Sequence, residues 1–317
     1  MRGRLLRLGV AIGLTAYVLW TSDPRAVWAA CRDANWWWIA AAMALVVVDR
    51  ALMAARWIEL LAALTPGSRP PFLVVLRVFF LSSFVSNFVP SLAADSYRMY
   101  ALSRYRVDLA ESAASVLMDR LLGILSVVIV AAGALPFATA LGVPDGVLLV
   151  LGATVAGCIA AGSVVFSERA ARAAVRMSEL VPVDALHRMT AALVQAVRRY
   201  AQHHTALVRV LLMSIAVQVF RVVQAMCLGY ALGLAVPAAA YFAFIPLIVL
   251  IMQVPITVNG FGTTQYAFTT LFVPLGAEKG ATFALSILFL ALGILGSLPG
   301  ALFYAAGAPA RSKADLS

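Results

Sequence analysis

Long apolar runs separated by short polar breaks dominate this chain. Several are long enough for the about 20 residues that a helix needs to cross a bilayer. The first, 5–20, follows three arginines and reads as a short retained span, since no small-residue cleavage site comes after it. The cluster Trp36-Trp37-Trp38 then marks a membrane–water boundary, where aromatic rings concentrate, and opens a span over 36–56. Further spans are predicted at 112–134 (closed by Pro136), 146–166, 207–233, 238–256 and 280–304. Between them, 167–206 is polar and arginine-rich and reads as amphipathic helices lying on the membrane surface, broken at Pro182.

Two apolar runs are interrupted. The run from Phe72 stops at Pro90, and small and polar residues follow, with Asp95 and Arg98 three apart. A helix restarting near Asp95 would use that carboxylate to cap its free N–H groups, with Arg98 one turn on along the same face. Near the other end, Pro255, Gly260 and Gly262 break the chain, and the run 263–276 after them is too short to span. Segments 72–98 and 257–276 are therefore read as re-entrant, broken-helix hairpins, tolerated at membrane depth only where they are buried or line a cavity. The helix restarting near Thr263 would aim free N–H groups and a positive dipole end at an anion such as phosphate. The breaks fall at corresponding positions of the two halves, the arrangement of an inverted-repeat transporter with its site between them. The expected fold is all-α: one integral membrane domain over 1–317, with about seven spans and two re-entrant hairpins.

Composition narrows the classes. The 317 residues are 63% hydrophobic and 12% charged, and the mean hydropathy is +0.95. A soluble domain is about 45–50% apolar and about 25% charged. A soluble enzyme, a disordered hub, a secreted disulfide scaffold and a nucleic-acid binder all drop out. The net charge of +10 reads as basic loops on the cytoplasmic side facing anionic lipid. Arg2, Arg4, Arg7 and the six arginines of 167–206 put the N-terminus and that loop in the cytoplasm, at a bacterial-type inner membrane, and Arg311 and Lys313 draw the C-terminus to the same side. Cys31, Cys158 and Cys227 form no CxxC pair, and the adjacent His203 and His204 point about 100° apart on a helix, so neither a disulfide framework nor a metal or cofactor site is expected.

Polar residues at membrane depth carry the chemistry, because each costs about 2.5–3.5 kcal/mol to insert unless it is paired or wetted. Asp49 and Arg56 are seven apart, on one face of the second span, where the ordinary reading with Arg50 is an ion pair near the helix end. Asp119-Arg120 has apolar neighbours on both sides. Ser214, Gln218 and Arg221 form a stripe that faces other helices or water, and Arg77 stands alone in an apolar run. Arg77, Arg98, Arg120 and Arg221 together could line a basic cavity, since guanidinium binds phosphate through a bidentate fork.

In these places the chain resembles the transmembrane region of lysylphosphatidylglycerol synthase, a flippase-like membrane family that also occurs as stand-alone proteins. The family's first motif is matched by Asn87, Pro90, Asp95 and Arg98, its acid–Arg pair by Asp119-Arg120, and its late Pro/Gly segment by Pro255, Thr257, Asn259, Gly260, Gly262 and Gln265. The departures are Ser91, Ala93 and Ala94 where the first motif has glycine, Asn259 for the first paired glycine, and Gln265 for the late acid. The resemblance adds Asn87, Asp95, Asp119, Thr257, Asn259, Gly260, Gly262 and Gln265 to the substrate-binding candidates, beside the arginines and Gln218. It implies movement of an anionic, phosphate-bearing lipid or lipid-linked precursor between leaflets, without enzyme activity. The alternative is a non-transporting scaffold subunit of a cell-envelope lipid or glycan pathway. Expected partners are membrane lipids, with a homo-oligomer or an envelope-synthesis protein besides, and no nucleic acid. The chain holds no Gly-x-x-x-x-Gly-Lys-[Ser/Thr] segment, so any driving force is a gradient or mass action.

Overall fold

The computed structural model describes residues 34–64, 71–87, 91–103, 108–140, 167–178, 184–252 and 263–305, with Arg32 and scattered positions between 149 and 164. All regular structure among them is helical. In chain order the helices are α1 (Trp36–Leu64), α2 (Phe72–Val85), α3 (Ser91–Ser103), α4 (Leu109–Ala140), α5 (Glu168–Ser178), α6 (Asp184–Arg199), α7 (His204–Ala231), α8 (Ala238–Met252), α9 (Thr263–Phe272), α10 (Lys279–Leu295) and α11 (Pro299–Ala305). Among the described residues, four stretches are long and apolar enough to cross a membrane: Trp36–Leu64, Leu109–Ala134, His204–Ala231 and Lys279–Ala305. The predicted spans 5–20 and 146–166 lie outside the described residues or largely so.

Local chemistry sets the helix starts. The Asn35 side chain accepts from the Trp37 backbone N–H at 3.1 Å and caps α1. Asp108 does the same for Ala110 at 2.6 Å, opening α4 with Glu111 in its first turn. Trp36 and Trp37 project outward, 62% and 85% exposed, as boundary anchors do.

The helix ends correct several sequence expectations. α1 runs on to Leu64, past the predicted end at 56. α4 continues through Pro136 to Ala140, so that proline does not close it; in a membrane helix, neighbouring groups can satisfy the carbonyl a proline leaves free. α3 begins at Ser91, so Asp95 lies inside the helix and does not cap it. The last predicted span, 280–304, matches the spanning stretch Lys279–Ala305, which carries a turn at 296–298 that the apolar pattern does not predict. Pro299 disfavours helical backbone in the residue before it, and with no N–H to leave unpaired it suits the start of α11.

α1 and α7 pack along each other more extensively than any other pair. They run antiparallel, and the Asn35 N–H donates to the Ala231 carbonyl at 2.9 Å where one starts and the other ends. α4 lies against both. α8 is apolar on all sides and buried from Ala243 through Leu250, so it forms the centre of the main core with α7, α9 and α10. Phe272 of α9 meets Tyr241 and Phe244 of α8, with ring centroids 5.2 and 5.5 Å away. α11 turns back against α2, so close that a Cβ on Gly300 would sit 2.1 Å from the Phe80 carbonyl oxygen. Outside the apolar bundle, α6 rests on α4, and the Tyr200 hydroxyl that follows it donates to the Leu60 carbonyl at 2.9 Å. Burial pushes the Tyr200 phenol well above its usual range.

Candidate functional site

The polar residues that interrupt the apolar pattern gather into two separate groups, one closed and one open. The closed group joins α1, α2, α3, α4 and α7. Arg56 Nε donates to Asp119 Oδ1 at 2.6 Å, and Arg56 Nη1 donates to Ser214 Oγ at 2.9 Å. The other Asp119 oxygen lies 3.9 Å from Arg98 Nη1. Arg98 Nε donates to Ser82 Oγ at 2.6 Å, and its guanidinium lies over the rings of Phe79 and Trp57, 4.9 and 5.4 Å from their centroids. Asp95 is paired with Arg120. The neighbours Asp119 and Arg120 thus serve different partners, as adjacent helix positions must.

Charges here are matched by opposite charges and hydroxyls of the protein itself. Buried ion pairs need such matching, because desolvation otherwise outweighs the attraction. Asp49 and Arg56 share a buried face of α1, as their spacing predicts, yet they do not pair with each other; Arg56 turns to Asp119 instead.

The open group lies between α1, α7, α8 and α10. Here Asp49, Arg50, Arg221 and Gln224 line a cavity of about 300 Å³, together with Val46, Val249, Met252, Phe289, Leu290 and Gly293. Arg221 Nη1 donates to Gln218 Oε1 at 3.4 Å, and Gln218 Nε2 donates to Ser126 Oγ at 3.2 Å, which ties the arginine to α4. Arg50 Nη2 donates to the Gly293 carbonyl at 3.1 Å. Both guanidinium groups also approach the Met53 sulfur, at 3.7 and 3.9 Å. Asp49 Oδ2 and Arg50 Nε are 4.0 Å apart, beyond hydrogen-bond reach. Three buried polar atoms here, Asp49 Oδ1, Arg50 Nε and Gln224 Nε2, have no partner among the described residues.

The close approach of α10 to α1 shapes this cavity. A Cβ on Gly296 would fall 2.3 Å from Val46 Cγ1 and 3.2 Å from Arg50 Nε. Only glycine at that turn lets the two helices meet.

The sequence-derived candidates divide accordingly. Asp95, Arg98, Asp119 and Arg120 belong to the closed group. Arg221 lines the cavity and Gln218 holds it. Arg77 and Asn87 turn to the last helical pair: Arg77 Nη2 donates to the Phe303 carbonyl at 3.4 Å, and Asn87 Nδ2 to Ser297 Oγ at 2.7 Å. Gln265 is buried in α9. Thr257, Asn259, Gly260 and Gly262 lie outside the described residues. Arg98 and Arg120 therefore do not join Arg221 in a single basic cavity. Sequence reasoning assigned neither Asp49 and Arg50 nor Gln224 to the site. The signal for Gln224 was present, because it extends the stripe Ser214, Gln218, Arg221 by one more helical step.

No curated protein and no solved structure matches the chain. A family model does, over residues 4–300, and on that nearly full-length match the chain belongs to the family described as the lysylphosphatidylglycerol synthase TM region.

Proposed function

We propose that this integral membrane protein moves an anionic, phosphate-bearing lipid between leaflets, and that it has no enzyme activity of its own. The observation that carries the reading is the cavity at Asp49, Arg50, Arg221 and Gln224. It sets two guanidinium groups beside apolar side chains of four helices, with polar atoms turned to no described partner. An ionisable residue at membrane depth marks a substrate path by default, and guanidinium suits phosphate oxygens.

Family membership supports a lipid-related role. The chain breaks between α2 and α3 and between α10 and α11 are joined by the Asn87–Ser297 hydrogen bond, and they would serve as hinges when the cavity changes its exposure. By the positive-inside rule the N-terminus and the α5–α6 segment face the cytoplasm of an inner membrane.

The test uses purified full-length protein in vesicles carrying a headgroup-labelled anionic phospholipid and an external quencher. The expected result is label loss from both leaflets, faster than in protein-free vesicles. Unchanged leaflet exposure across several lipids would leave a non-transporting scaffold subunit in its place, and product formation without movement would make the protein an enzyme.

A further inference from the structure

α5 and α6 carry a second concave surface, outside the apolar bundle. The two helices pack along each other, and a groove of about 350 Å³ lies between them. Its apolar lining is Ala171 and Val175 of α5 with Ala191 and Val194 of α6. Its charged lining is Arg172, Arg176 and Arg198. One wall is fixed to the bundle where α1 ends and α4 begins. Ala196, Val197 and Tyr200 are buried there against Leu60, Leu64 and Ala114, and Arg199 is ion-paired with Glu111 at 2.9 Å. The groove is therefore preorganised, which lowers the entropy cost of filling it.

Its charge is unbalanced. Arg172 and Arg176 stand four apart on α5, where like charges repel. Both are exposed, and neither has an ion pair or hydrogen bond among the described residues. Arg198 Nη2 lies 3.4 Å from Glu168, but that carboxylate is 73% exposed and water weakens the pair. Arg198 Nε is buried without a partner among the described residues. Three guanidinium groups against one exposed carboxylate leave a surplus of two positive charges beside an apolar lining.

These features select the occupant. The surplus calls for carboxylates and the lining for apolar side chains, so a free inorganic anion satisfies only half of the site. A helix that lies in a bilayer surface presents Trp, Phe or Leu to the acyl chains. The lining here is Ala and Val, whose short side chains leave a hollow that receives a side chain and puts none into lipid. We propose that the α5–α6 groove docks an acidic amphipathic helix of a partner protein. The helix lays Leu- or Met-sized side chains on Val175 and Val194 and sets its carboxylates on Arg172, Arg176 and Arg198. This docking is independent of the transport reading.

The experiment uses full-length protein in phosphatidylcholine nanodiscs. The probe is a labelled helix-forming peptide of about 15 residues, with Leu along one face and Glu elsewhere. Fluorescence anisotropy should show binding that weakens as salt rises. A peptide with Lys for Glu, and one with Ser for Leu, should each bind at least about tenfold more weakly. Arg172→Gln/Arg176→Gln should lower affinity for the acidic peptide about tenfold. Arg209→Gln removes an exposed guanidinium outside the groove and should leave affinity unchanged. A second measurement places the peptide. Ala191→Cys, on a background without the native cysteines, should react readily with an uncharged water-soluble maleimide, and the acidic peptide should protect it.

Equal binding of the three peptides, or of none, would overturn the proposal. So would unchanged affinity in Arg172→Gln/Arg176→Gln, or an equal loss in Arg209→Gln. Protection of Ala191→Cys by phosphatidylglycerol added to the nanodiscs, with no peptide present, would assign the groove to the membrane surface instead. If the cysteine-free protein fails to accumulate, the anisotropy series decides alone.

Discussion

Arg56 and Asp119, 63 positions apart in the chain, meet at 2.6 Å with both side chains about 5% exposed. The pair joins α1 to α4, and through Ser214 it reaches α7. Removing one partner leaves a buried charge unmatched, which costs about 3–5 kcal/mol. Asp119→Asn and Arg56→Gln should therefore each reduce accumulation and lower the midpoint of a detergent thermal-shift assay. A variant that accumulates and melts like the parent would show that the pair does not hold the bundle.

Arg98 and Arg120 should behave differently from each other. Arg98 has a side chain 12% exposed and holds an aspartate, a serine and two aromatic rings, so Arg98→Ala should behave like loss of Arg56. The Arg120 side chain is 41% exposed while its partner Asp95 is only 6% exposed, so Arg120→Ala leaves one buried carboxylate and should lower the midpoint, though less than Arg98→Ala, which removes several buried contacts at once. Thermal midpoints of the two variants, measured side by side, check the order.

The all-α membrane fold was legible in the sequence because apolar runs of spanning length have few other solutions. The polar residues that matter were legible one by one for the same reason, as each breaks such a run. Their partners were not. Asp49 and Arg56 share a face at a spacing that permits pairing, but which carboxylate Arg56 meets depends on how α4 docks, a long-range packing outcome that helical periodicity does not encode. The turn at 296–298 was foreshadowed by Gly296 and Pro299, yet the apolar residues around them concealed it. The central position of α8 was hidden too, since a helix apolar on every side reads alike whether lipid or protein surrounds it.

Gly300 sits where α11 folds onto α2. Its missing Cβ leaves room for the Phe80 carbonyl, which backbone geometry holds in place. Gly300→Val should force the two helices apart at a cost of about 1–3 kcal/mol. Because Asn87–Ser297 bridges the same region, an Asn87→Cys/Ser297→Cys pair should form a disulfide in the parent and lose that ability on the Gly300→Val background. Cross-linking yield by non-reducing gel reports it.

Arg221 provides the sharpest separation of site from scaffold. Its hydrogen-bond acceptor is Gln218, a neutral amide, and it has no ion pair with a carboxylate among the described residues. Arg221→Gln leaves the buried Asp49 beside Arg50 and keeps a polar group facing the cavity, so the thermal midpoint should stay close to that of the parent. If the cavity holds the phosphate, losing one of its two guanidinium groups should slow lipid movement in vesicles at least tenfold, because charge-assisted bonds to phosphate are about twice as strong as neutral ones. Gln218→Leu should lower the rate less, since it removes only the support that orients Arg221. The order parent, Gln218→Leu, Arg221→Gln in rate, at nearly constant stability, is the expected pattern. Equal rates in all three would remove the cavity from the transport path, and a rate loss that merely follows a falling thermal midpoint would make Arg221 part of the scaffold.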